Sequence, residues 1–89
     1  MTLDLPPMDA PAKRSVTIDG HRTSVTLEDA FWRGLARAAK ARGLTRGAMV
    51  TAIDHARPAE VGLATAIRLF VLAEAGAARA DIAPAAPRT

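Results

Sequence analysis

Residues 21–50 read HRTSVTLEDAFWRGLARAAKARGLTRGAMV, and the hydrophobic period changes within this segment. From His21 to Leu27 polar and apolar residues alternate, which is typical of a half-buried strand. Beyond Leu27 the apolar residues follow helical spacing, until Gly43 supplies a helix stop and Thr45 a good helix N-cap. The segment therefore predicts a strand, a helix, a short turn and a second helix, in that order.

A further strand is predicted immediately upstream. The run from Ser15 to Ile18 also alternates polar and apolar side chains, and the dipeptide Asp19-Gly20 separates it from the next alternating run. Asp-Gly favours a type I′ turn, because both central residues of that turn need positive φ. We therefore expect a hairpin over residues 14–27. In its second strand, one face would carry Thr23, Val25 and Leu27 toward the core, and the other Arg22, Ser24 and Thr26.

Three helices are expected after the hairpin. The first has two carboxylates, Glu28 and Asp29, in its first turn, where they suit the helix dipole. Within it Gly34 weakens the helix and marks a close helix crossing. The second helix is predicted over residues 46–56 and the third over about 60–77. The third helix is apolar on two sides, which favours burial between subunits.

The remaining sequence is expected to lack regular structure and special chemistry. Residues 1–12 hold three prolines and show no period, and they predict a disordered arm before a domain over 13–78; residues 79–89 predict a disordered tail. The absence of cysteine excludes a disulfide framework and a thiolate metal site. No signal peptide or membrane span is recognisable, and we expect a cytoplasmic protein.

Charge favours a polyanionic partner over a substrate pocket. Residues 13–57 contain nine basic and four acidic residues, a net charge of +5, whereas the rest of the chain carries −2. No phosphate loop, zinc-protease motif or nucleophile elbow is present, so neither an enzyme nor a cofactor is expected. His21 and His55 are too few and too far apart to argue for a metal site.

The turn between the first two helices carries a family resemblance. The stretch from Gly43 to Val50, GLTRGAMV, is similar to the Gly-Leu-Ser-Lys-Ser-Ala-hydrophobic stretch of the ribbon-helix-helix family, the class of the Arc and methionine repressors. The resemblance covers about residues 13–75 and is strongest to a subgroup of short bacterial chains. It implies a mainly α fold with an N-terminal β-ribbon, extended here by a third helix, in an intertwined homodimer or a tetramer.

The resemblance also implies a site and a partner, double-stranded DNA. In the family, strands of two subunits pair antiparallel, and the resulting ribbon enters the major groove. The family's base-contacting triplet maps onto Arg22, Ser24 and Thr26. Its phosphate contacts, at the start of the second helix, map onto Thr45, Arg46 and Gly47. Lys13 and Arg14 would either track the DNA backbone or form a solvated strand start.

Several alternatives stay open at this stage. Two hairpins paired across a dyad would give four strands, which do not fit flat in the major groove, so either the outer strands twist away or the sheet serves another purpose. The ribbon could instead be the upstream strand, with Lys13, Ser15 and Thr17 facing DNA. The simplest function is a repressor that occludes a promoter. The rivals are a module that docks a protein partner and a dimer that binds a small effector.

Overall fold

The computed structural model describes residues 2–82, with side chains up to residue 77. Two strands precede three helices: β1 Ala12–Ile18, β2 His21–Leu27, α1 Asp29–Ala41, α2 Arg46–Ala56 and α3 Leu63–Ile82. This order confirms the predicted hairpin and the ribbon-helix-helix arrangement with an added C-terminal helix. Within the described residues, no helix has the length and hydrophobicity needed to cross a membrane.

The two strands form an antiparallel hairpin whose turn is the predicted dipeptide. The pairing runs without a bulge from Ala12 opposite Leu27 to Ile18 opposite His21. Asp19 and Gly20 have φ values of 52° and 80°, so both central residues occupy the positive-φ region that a type I′ turn requires. Because this turn matches the strand twist, it sets the register of the whole ribbon.

One face of the hairpin packs on the helices and forms the core. Val16, Val25 and Leu27 are buried on this face, and the helices meet them with Leu35 and other apolar side chains. The helical contribution consists of Leu35 and Ala39 from α1, Met49, Val50 and Ile53 from α2, and Ile67 from α3. Thr23 shares the face but is exposed, so its expected core position was wrong. Its partner on β1, Val16, is buried, so at this level the helices cover β1 and leave β2 open to solvent.

The connection between α1 and α2 follows local capping rules. The N–H of Leu44 donates to the carbonyl of Ala39 and the N–H of Gly43 to that of Lys40, with Gly43 at φ 68°. This is a Schellman motif, which satisfies the last carbonyls of α1. The Thr45 hydroxyl then accepts from the N–H of Ala48 at 3.0 Å, which caps α2 as predicted.

The third helix differs in its bounds from the expectation. It begins at Leu63 rather than near residue 60, because the chain after Pro58 first makes a turn in which the N–H of Val61 donates to the carbonyl of Pro58. The carbonyl of Gly62 then accepts the first helical bond, from Ala66. Residues 79–82 of the predicted tail are helical, and residues 83–89 lie outside the described part of the chain. The predicted arm over residues 1–12 is one residue too long, because Ala12 is already part of β1.

A close crossing of α1 and α3 lies at Gly34. A Cβ placed on this buried glycine would come within 2.6 Å of Cγ1 of Val71. Valine side chains in helices hold essentially one rotamer, so Val71 cannot easily turn away. The glycine is therefore required by packing, although it weakens the isolated helix by up to about 1 kcal/mol relative to alanine.

We expect Gly34→Ala to lower the melting temperature, because the clash with Val71 outweighs the gain in helix propensity. In a Val71→Ala background the clash is absent, and the same substitution should then be stabilising. Thermal unfolding of the wild type, the two single variants and the double variant measures this coupling. A stabilising Gly34→Ala in the wild-type background would show that the helices do not approach so closely.

Candidate nucleic-acid interface

The face of the hairpin opposite the core is polar and open to solvent. Strand register places three directly opposed pairs on this face, and all six side chains are exposed. These pairs are Lys13 with Thr26, Ser15 with Ser24, and Thr17 with Arg22. The two triplets that the sequence left as alternatives, one on each strand, therefore lie side by side on one surface.

Arg22 is positioned on this surface by a cross-strand hydrogen bond. Its Nη2 donates to the Ser15 hydroxyl at 2.8 Å, on the diagonal across the ribbon. Diagonal neighbours in an antiparallel pair lie within reach of long side chains. The bond uses one of the five N–H donors of the guanidinium and leaves the others available to a ligand. A hydroxyl-rich surface with one oriented guanidinium can read hydrogen-bond acceptors on base edges.

The N-terminus of α2 borders the same surface. A cleft of about 330 Å³ is lined by Ser15, Val16, Thr17 and Arg22 of the hairpin and by Trp32, Arg46 and Gly47 of the helices. A helix leaves its first N–H groups without intrahelical partners. The N–H of Ala48 donates to the side chain of Thr45 and that of Met49 to its carbonyl, which leaves Arg46 and Gly47 without an acceptor among the described residues.

Trp32 holds the side chain of Arg46 over this helix start. The guanidinium carbon of Arg46 lies 4.2 Å from the centre of the indole ring, within the range of a cation–π contact. Its Nε is buried and has no hydrogen-bond partner among the described residues. The arrangement concentrates positive charge beside two free backbone donors, which is the chemistry that favours a phosphate group.

The fold agrees with a comparison against known protein families. A family profile described as "Ribbon-helix-helix domain" matches residues 11–75, which is well over half of the chain. The chain belongs to the ribbon-helix-helix domain family. Members of this family generally bind DNA as transcription regulators, typically as dimers. No curated protein and no solved structure matches this ribbon-helix-helix chain significantly.

The two basic residues at the start of the ribbon take different positions. Lys13 lies on the polar face, exposed. Arg14 lies on the core side, half-buried, where Nε and Nη2 donate to the carbonyl of Leu27 at 3.3 and 3.2 Å and Nη2 lies 3.7 Å from Asp29. Arg14 therefore ties the end of β2 to α1 of this ribbon-helix-helix domain, a tertiary role that the sequence did not indicate.

An arginine of α3 also bonds to the end of β2 and to the residue that precedes α1. Arg68 donates through Nε to Glu28 at 2.9 Å and through Nη2 to the carbonyl of Thr26 at 3.4 Å. The pKa of Glu28 is lowered, first by a hydrogen bond from its own backbone N–H and then by the bond from Arg68. Nothing in the local sequence relates residues 26 and 28 to residue 68, so only the tertiary fold reveals this contact.

The turn of the ribbon is attached to the end of α2. Nε2 of His55 lies 2.7 Å from Oδ2 of Asp19, and both side chains are exposed. The hydrogen bond to Asp19, followed by the attraction of its charge, raises the pKa of His55. Protonated His55 therefore holds the ribbon tip against the helix that carries the cleft.

We expect this attachment to make stability depend on pH. Because the pKa of His55 is raised in the folded state, the contribution of its ion pair to stability is fully present below the unfolded pKa of histidine, about 6.5. That contribution is lost as the pH rises through the folded pKa. The melting temperature should therefore fall as the pH rises from the unfolded to the folded pKa of His55, and the decrease should be smaller in His55→Gln. His21→Gln is the matched control, since His21 forms no ion pair with described residues. An unchanged pH profile in His55→Gln would contradict the assignment.

Proposed function

We infer that the protein is a sequence-specific DNA-binding regulator that acts as a dimer and places its β-ribbon in the major groove. The observation that carries this proposal is the single polar face of the hairpin, formed by both strands and bordered by the start of α2. A two-stranded ribbon is narrow enough for a groove about 12 Å wide. The simplest regulatory outcome is repression by covering a promoter, which takes place in the cytoplasm of a bacterium.

Base reading is assigned to the ribbon face. Arg22 suits guanine, because a guanidinium can donate two hydrogen bonds to O6 and N7. Ser24 and Thr26 follow on the same strand and can donate or accept. Their neighbours on β1, Ser15 and Thr17, extend the surface, so the contact residues come from two strands rather than from the triplet on β2 alone.

We assign to the start of α2 the phosphate contacts that fix the position of the protein along the DNA duplex. A phosphate in the cleft could accept from the N–H groups of Arg46 and Gly47 and would lie beside the Arg46 charge. The Thr45 hydroxyl already accepts from Ala48, but its own proton is still available to a phosphate oxygen. These contacts would carry no sequence information, and their contribution to affinity would depend on salt. Lys13 would add charge at the far end of the ribbon.

Replacing Arg22 by alanine should weaken binding to the preferred site by about 1–3 kcal/mol and relax the preference at one base pair. The preferred site is first identified by sequencing duplexes retained from a random pool, and titrations then compare the variants. Arg37→Ala is the matched control. The substitution removes the same charge, but Arg37 lines the cleft between α1 and α3, away from the ribbon face. Binding that survives Arg22→Ala together with Ser24→Ala would exclude this face.

Replacing Arg46 by glutamine should weaken the binding of the protein to its preferred duplex and to random duplexes to a similar extent. It should also reduce the slope of log affinity against log salt concentration by about 1. Glutamine keeps part of the packing on Trp32 while removing the charge. Titrations at four salt concentrations measure the slope. A changed base preference with an unchanged slope would argue against a phosphate contact at this residue.

A further inference from the structure

We propose that His55 is a positioning residue for DNA binding: its ion pair with Asp19 holds the tip of the β-ribbon on α2, so that affinity for DNA rises as the pH falls. This inference rests on the proposed function, because it concerns how the same ribbon face is held while it contacts DNA. It adds a residue that lies outside both the ribbon face and the cleft at the start of α2.

The base of the ribbon, where β2 ends, is attached to the helices by arginines. Arg14 donates to the carbonyl of Leu27 at 3.3 and 3.2 Å and lies 3.7 Å from Asp29. Arg68 donates to the carbonyl of Thr26 at 3.4 Å. A guanidinium stays protonated in proteins, and a carbonyl does not titrate. These contacts between side chain and backbone therefore do not change with pH.

The tip of the ribbon is attached in a different way. Residues 21–23, the first three of β2, are all exposed, so the helices leave this part of the strand open to solvent. Arg22, to which we assign a guanine contact, is the middle residue of this stretch. The turn beside it is joined to α2 by the side chain of Asp19, whose Oδ2 lies 2.7 Å from Nε2 of His55. The attachment nearest to Arg22 therefore involves a histidine.

The second helix contacts the hairpin at both of its ends. Arg46 and Gly47, its first residues, line the cleft together with Arg22, and its last turn carries His55. A helix of 11 residues is about 16 Å long, so the two contacts are well separated. The contact at the tip restricts how far the ribbon can tilt relative to the helix. A fixed angle allows the ribbon to meet a base while the helix start meets a phosphate.

The proton on His55 determines the strength of the contact at the tip. A neutral imidazole can still donate a hydrogen bond to Asp19 through its Nε2–H, but a protonated one adds the attraction between opposite charges. The hydrogen bond and the charge of Asp19, with a smaller effect of Asp54, raise the pKa of His55. The contact therefore weakens at a pH above the ordinary histidine pKa of about 6.5.

The other charged groups near His55 make no direct contact that competes with Asp19. Asp54 is bonded to Arg57 at 2.9 Å, which partly offsets the charge of that carboxylate. His21 is exposed near the turn, on the side of β2 that carries the core residues. Within the described residues, α1 and α3 contribute no ion pair to His55. The ion pair with Asp19 is thus the contact to test.

Asp19→Asn is the decisive variant. Asn-Gly favours the same type I′ turn as Asp-Gly, so the hairpin should stay intact. The substitution removes the carboxylate but leaves both histidines able to take up a proton, so any direct effect of their charge on DNA remains. The wild type should bind its preferred duplex about two- to fivefold more tightly at about pH 5.5 than at about pH 9, the size of effect that an exposed ion pair supports. Most of this gain should disappear in Asp19→Asn.

His55→Gln and His21→Gln are the matched pair, because each removes one imidazole. His55→Gln should lose the gain on acidification, and adding Asp19→Asn should cause little further loss, since both substitutions break the same contact. His21→Gln should keep most of the gain. An equal loss in the two histidine variants, with a full gain in Asp19→Asn, would show that protonation acts only through charge close to the duplex and would overturn the proposal.

A proton NMR titration of the free protein tests the ion pair without DNA. The ring signals of His55 are identified by their absence from the spectrum of His55→Gln. They should titrate at a higher pH in the wild type than in Asp19→Asn, because the nearby carboxylate favours the protonated ring. The same midpoint in both proteins would show that the ion pair does not form, and the proposal would fail.

These outcomes are separate from a failure of the proposed function. If the wild-type protein enriches no sequence from a random pool of duplexes, the DNA-reading role fails, and the positioning role fails with it. If a sequence is enriched but Asp19→Asn keeps the full gain on acidification, the function stands and the role of His55 fails. A gain that depends on both Asp19 and His55 supports both.

Discussion

The burial of one side of a two-stranded hairpin is the constraint on which the other features of this protein depend. A hairpin alone is only marginally stable in water, and here Val16, Val25 and Leu27 stabilise it by packing on three helices. Because side chains alternate along a strand, fixing these three residues inward fixes their neighbours outward. The composition of the polar face is thus set by the same contacts that stabilise the fold. A register shift of one residue would exchange the two faces, so the Asp19-Gly20 turn and the core act together against it.

The features that the sequence predicted correctly are those determined by a few adjacent residues. The Asp19-Gly20 turn, the Gly43 stop and the Thr45 cap each follow from local backbone conformation or one short hydrogen bond. The family resemblance over much of the domain is also a local pattern, and the profile match over residues 11–75 confirms it. The order of elements could therefore be predicted without knowledge of the tertiary structure.

The features that were missed depend on contacts between distant residues. Thr23 continues the alternation of β2, but coverage of that position depends on how far the helices reach over the sheet. Arg14 was expected to track the DNA backbone or to form a solvated strand start, and the sequence analysis did not single out Arg68, yet each is bonded to a carbonyl at the end of β2. The joining of both strands in one polar face was also undecided, because the sequence treated the two triplets as rivals. Pairing register, which only the folded hairpin defines, placed them together.

The contact between Trp32 and Arg46 also has a spectroscopic consequence. The chain contains one tryptophan and no tyrosine, so its near-ultraviolet emission comes from a single indole. That indole is half-buried, lines the cleft at the start of α2 and lies 4.2 Å from a guanidinium carbon. Any anion that draws the guanidinium away changes the electric field and the solvent around the ring. The protein therefore contains an intrinsic fluorescent reporter at the start of α2, in the cleft that borders the ribbon face, and its emission is sensitive to the occupancy of that cleft.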